Sequence, residues 1–155
     1  MENATGRTPV HLWIVGAMAI LWNGFGCFDY FMTRTRGAAY IESMMPTIDG
    51  AAMMTYIDSF PVWASFAWGL GVWAGLAGSI LLLLRHRWAV PVLLASLAGA
   101  VIGIGYQLAN PAGIIEISQG ANAIIPYVVI VIAIALFLYA RWMRMKGVLR
   151  ATAAG

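Results

Sequence analysis

Four long apolar runs dominate the chain, at about residues 10–32, 61–84, 88–108 and 121–143. A hydrocarbon core ~30 Å thick takes about 20 residues of α-helix at ~1.5 Å each, so every run is long enough to span. The runs are continuous rather than alternating, which argues against β-barrel strands. The pattern predicts an all-α, integral-membrane four-helix bundle in one domain over 1–155. Pro9, Pro61, Pro91 and Pro126 fall at or near helix starts, where a missing N–H does no harm. No proline falls near mid-span, so broken transporter helices are not signalled.

Residues 33–60 are too many for a simple turn. Met53, Tyr56, Ile57 and Phe60 recur at i, i+3, i+4 and i+7, the spacing of an amphipathic helix. Tyr40, Ile41, Met44 and Met45 form a shorter apolar set before Pro46. The expectation is one or two short interfacial helices lying apolar side down on the outer surface.

Composition narrows the class. Only 10% of the 155 residues are charged and 62% are hydrophobic, against about 25% charged in an average soluble domain. A soluble enzyme, a nucleic-acid binder and a disordered tail are thereby excluded. The first run exceeds the usual 7–15 apolar residues of a signal peptide, and Gly24 and Phe25 suit lipoprotein processing at Cys27 poorly, so cleavage is not expected. With one cysteine, a disulfide, a Cys-based zinc site and an iron–sulfur cluster within the chain are excluded.

Charge sets the expected orientation. Arg7, Arg85, Arg87, Arg141, Arg144, Lys146 and Arg150 fall on one side, and Arg34 and Arg36 on the other with Glu42, Asp49, Asp58 and Glu116. The asymmetry of Lys and Arg predicts cytoplasmic termini, with 33–60 and 109–120 outside.

Polar side chains within the spans concentrate toward that outer side. At ~100° per residue, Trp22, Asn23, Gly26, Asp29 and Tyr30 share an arc of roughly 120° on the first helix. On the third helix Ser96, Gly99, Gly103, Tyr106, Gln107 and Asn110 share a face, and on the second Ala64, Trp68, Gly71, Gly75 and Ser79. Gly71/Gly75 and Gly99/Gly103 are GxxxG pairs, which allow close helix approach. The first three helices are expected to pack through these faces, with the β-branched fourth more lipid-exposed.

Trp22, Asn23, Asp29, Tyr30, Trp68, Tyr106 and Gln107 are the candidate ligand-binding residues of an outward-facing polar cleft. The competing reading is interhelical hydrogen-bond glue, with Asn23 helping to satisfy the indoles of Trp22 and Trp73 and Asp29 snorkelling toward Arg34 or Arg36. His11 and His86 sit at helix ends as a conceivable bis-His site. Met44, Met45, Met53 and Met54 are conceivable thioether ligands for copper. Neither set is complete, so no metal and no cofactor is expected. No catalytic arrangement is recognisable and the chain is not expected to be an enzyme.

Leu21-Trp22-Asn23-Gly24 with Asp29-Tyr30 and Thr33, then Pro61-Val62-Trp63-Ala64 and the segment from Arg85 to Val90, carry a resemblance. The chain resembles a family of small four-span inner-membrane proteins of proteobacteria, often labelled sugar transporters. The resemblance implies a bacterial inner membrane and supplies neither a substrate nor a catalytic residue. A fainter similarity to small multidrug transporters stops at Asp29, which lies near the outer end of its span rather than deep within it. The leading expectation is an accessory or small-ligand- or lipid-binding component. The alternative is a small-solute, sugar-type transporter working as an oligomer, and a haem- or quinone-linked subunit stands third. Expected partners are the lipid bilayer and a homo-oligomer or larger membrane complex, not nucleic acid.

Overall fold

The structure, a computed structural model, describes residues 8–114 and 119–150. Its helices are α1 (Val10–Arg36), α2 (Ala38–Met44), α3 (Gly50–Asp58), α4 (Val62–Leu83), α5 (Ala89–Ala109) and α6 (Ile125–Met145), with a 3-10 turn at Gly120–Ala123. Helices α1, α4, α5 and α6 are long and apolar enough to cross a membrane. The chain is therefore a multi-pass membrane protein built as an all-α four-helix bundle. Arg7 and Glu116, which enter the charge asymmetry, lie outside the described residues.

Packing follows the glycine faces. Helix α4 packs most extensively on α5, α1 packs on α4, and α5 packs on α6. Burial ranks the spans: a third (33%) of the most apolar stretch of α5 is buried but only 6% of that of α6. The peripheral place expected for the fourth span is the one it takes. Its buried residues, Leu136, Ala140 and Met143, all fall in its second half. They join Leu12, Leu82 and Leu93 in a core at the end of the bundle that carries both described chain ends. The outward faces keep Met18, Leu21, Phe25, Phe66, Val101 and Val131 exposed, a surface that only lipid or another apolar partner can cover.

Two helix ends differ from the runs read in the sequence. Helix α1 continues to Arg36 and is stopped by Gly37, whose φ of 54° and ψ of −132° suit a residue without Cβ. Helix α6 starts at Ile125 rather than 121, because Gly120 turns at φ 61° and a 3-10 turn precedes the helix.

At the core end, α4 and α6 both close with the paired bonds of a Schellman motif. His86 N–H donates to Leu81 O at 2.8 Å and Val148 N–H to Met143 O at 3.0 Å. The left-handed position is Gly147 in α6 but Arg85, at φ 58°, in α4. Beyond Gly147 the chain tucks back, burying Val148 and Leu149. Arg150 N–H then donates to Arg85 O at 2.8 Å and Arg87 N–H to Arg150 O at 2.9 Å.

The opposite end is capped. Asp49 accepts from the N–H groups of Ala51 at 2.9 Å and Ala52 at 3.0 Å, which starts α3. A Cβ on Gly50 would sit 2.5 Å from Ala38 O, so α2 and α3 touch through backbone. Ile41, Ile48 and Ile57 form a second small core, with Met45, Met53, Met54 and Trp68 packed against it. The two amphipathic segments thus form helices whose apolar faces point into a shared interior.

Candidate functional site

The polar residues of the spans divide into two groups. The first is a seam joining α1, α4 and α5. Asn23 Nδ2 donates to Ala19 O at 2.9 Å on its own helix and to Ser79 Oγ at 3.1 Å on α4. Ser79 Oγ donates to Gly75 O at 2.7 Å, and Ser96 Oγ on α5 donates to Gly71 O at 2.6 Å. Cys27 Sγ approaches Val72 O at 3.5 Å. Backbone contact explains the glycines: a Cβ on Gly99 would lie 2.5 Å from Gly71 N and 2.7 Å from Ala67 O. A Cβ on Gly75 would strike the Asn23 amide oxygen. Among the described residues, no buried side-chain nitrogen or oxygen lacks a hydrogen-bond partner. In this layer polar atoms hold helices together.

The second group encloses space. Beneath the α2–α3 cap lies a cavity of about 150 Å³. The bundle supplies Asp29 and Thr33 from α1, Trp68 from α4 and Gln107 from α5. The cap supplies Tyr40, Met44, Met45, Met53 and Tyr56, with Phe60 in the link to α4. Tyr40 OH donates to Asp29 Oδ1 at 2.9 Å, tying the cap to α1. Burial, then the hydrogen bond to Asp29 and its charge, push the Tyr40 phenol up to about 12. Burial first, and Tyr106 second, raise that of Tyr56, whose OH donates to Asn110 O at 2.7 Å.

Of the seven residues read as a cleft, Asp29, Trp68 and Gln107 line this cavity. Tyr30 lines a wider neighbouring groove and meets Trp68 edge to face at 4.8 Å between ring centroids. Asn23 belongs to the seam. Trp22 is 41% exposed and Trp73 50%, so both project outward, while the Asn23 amide nitrogen donates to Ala19 on α1 and Ser79 on α4. Tyr106 stands in an aromatic ladder, 5.2 Å from Phe60 and 5.3 Å from Trp63. Thr33, Tyr40, Met44, Met45, Met53, Tyr56 and Phe60 were absent from the expected site although they wall it. Thr33 was findable, since Asp29 and Thr33 are one helical turn apart on one face.

The other constellations separate. His11 is bonded to Tyr139 OH at 2.5 Å and stacked on Trp142, whereas His86 Nδ1 accepts from Trp88 N–H at 3.2 Å. Met44, Met45 and Met53 line the cavity, and Met54 packs toward Gly37. The cavity therefore offers one carboxylate, four aromatic rings and three thioethers in a part-closed space. That set attracts a cation through charge and through ring quadrupoles. No family model, curated protein or solved structure matches the chain significantly.

Proposed function

We propose that the chain is a non-enzymatic binding component of a bacterial inner membrane that holds a small organic cation outside, beneath the α2–α3 cap. The cavity carries this reading: its one carboxylate, Asp29, stands among Trp68, Tyr40, Tyr56 and Phe60. Orientation rests on charge. Arg85, Arg87, Arg141, Arg144, Lys146 and Arg150 gather at the end of the termini and Arg34 and Arg36 at the capped end, which puts the cap outside. Binding is favoured over passage because α4 and α5 approach closely below the cavity, where a Cβ on Gly99 would lie 2.5 Å from Gly71 N. The alternative, a small-solute carrier acting as an oligomer, requires a route past that contact.

Choline and its neutral carbon isostere 3,3-dimethylbutanol test the reading by titration calorimetry on detergent-purified protein. Choline binds and the isostere does not, and Asp29→Asn weakens choline at least tenfold at unchanged thermal stability. Equal binding of the two probes, or full binding by Asp29→Asn, overturns it. Uptake of choline into sealed proteoliposomes would move the assignment to the carrier.

A further inference from the structure

Beside the cavity, and sharing Ile57 and Phe60 with it, a wider groove of about 430 Å³ runs between α1 and α4 under the end of α3. We infer that this groove seats the headgroup of a zwitterionic, amine-bearing phospholipid of the phosphatidylethanolamine type.

Its walls carry both signs of charge. Three donors line it, the Arg34 guanidinium and Tyr30 hydroxyl from α1 and the Ser65 hydroxyl from α4, and the Asp58 carboxylate is contributed from the end of α3. Arg34 Nη1 and Asp58 Oδ1 are 3.9 Å apart, and the two side chains are 39% and 66% exposed. At that separation each charge keeps hydrogen-bonding capacity that its partner does not fill. Asp58 is also the last residue of α3, so the negative end of that helix dipole reinforces the carboxylate. A phosphate against Arg34 and a primary ammonium against Asp58 match both poles at once. A quaternary headgroup has no N–H to give Asp58, and an anionic headgroup meets its negative charge.

The acyl chains have a course as well. Val62, 87% exposed, and Phe66, 68% exposed, line the groove on the outward face of α4. They continue the apolar surface that faces hydrocarbon. An occupant with a zwitterionic head and apolar tails fits this border; a free zwitterion leaves Val62 and Phe66 without a role. The inference does not depend on the solute cavity, and Arg34, Asp58 and Phe66 lie outside that cavity's walls.

The test is native mass spectrometry of protein taken from nanodiscs of equal phosphatidylethanolamine, phosphatidylcholine and phosphatidylglycerol. Wild type retains one phosphatidylethanolamine at least fivefold above the other two. Arg34→Gln loses all retained phospholipid tenfold, and Arg34→Lys restores it. Asp58→Asn keeps a phospholipid but no longer distinguishes ethanolamine from choline heads. Thermal unfolding confirms that these exposed variants fold. Displacement of the lipid by equimolar O-phosphoethanolamine, or retention that Phe66→Ala leaves unchanged, overturns the lipid in favour of a free zwitterion. Identical lipid profiles for wild type, Arg34→Gln and Asp58→Asn overturn the site.

Discussion

The seam and the cap are built from similar polar side chains and treat them in opposite ways. In the seam, Ser79 and Ser96 return their hydroxyl protons to carbonyls of Gly75 and Gly71, and Asn23 bridges α1 to α4. The glycines remove the volume that a side chain would fill, so the helices close. In the cap, Asp29 and Tyr40 bond across a gap between α1 and α2, and bulky Trp68, Phe60 and methionine side chains keep the walls apart. A polar residue within a span thus reads as glue when small residues face it, and as a site when large ones do.

The largest effect that would break this contrast is at Gly99. Leucine there meets backbone atoms that cannot yield, so Gly99→Leu costs about 3 kcal/mol or more and the solubilised fold is lost. Gly105→Leu, with nothing within 4 Å of its Cβ, unfolds like wild type. Equal melting of the two variants removes the packing account.

The next experiment crosses the two regions. Asn23→Ala lowers stability by about 0.6–2 kcal/mol and leaves choline affinity unchanged. Asp29→Asn does the reverse. If both variants lose binding and stability together, seam and cavity are one unit and the contrast fails.

Tyr40 sharpens the cap side alone. Tyr40→Phe removes one hydrogen bond, worth about 1 kcal/mol, and loosens α2 without opening the seam. The phenol stands at about 12 in the fold against about 10 in an unfolded chain. Its contribution is therefore complete below pH ~10 and is lost as pH rises through about 12. Limited proteolysis of residues 37–50 should rise across that window in wild type and stay flat in Tyr40→Phe. A wild-type cap that resists protease throughout the window would remove Tyr40 as its fastening.

The smallest effect belongs to the end away from both regions. Arg85 holds a left-handed conformation that costs a non-glycine residue ~1–2 kcal/mol, while its guanidinium donates to Thr8 Oγ1 at 2.6 Å. Relief of strain and loss of that bond oppose each other, so Arg85→Gly raises stability by about 0.5 kcal/mol. A fall in melting temperature would show that the Thr8 contact dominates.

Whatever rests on local periodicity and length could be read directly along the chain. Runs of about 20 apolar residues can satisfy backbone bonds in a membrane only as helices, and the i, i+3, i+4 spacing after Asp49 is realised as α3. The small-residue faces of α4 and α5 were legible for the same reason, since GxxxG geometry is internal to each helix. Tertiary structure decided which neighbour each face meets. Asn23 and Asp29 sit at opposite edges of one arc of roughly 120°; the placing of α4 and α2 gave one edge to Ser79 and the other to Tyr40. The sharp turn at Gly37 folds the cap back over the bundle, and so makes a cavity of residues that read as separate surface helices. The return of Val148 and Leu149 to the core had no periodic signal, because two residues are too few to carry one. Spacing along a chain records angles about one helix axis, whereas a cavity depends on distances between axes.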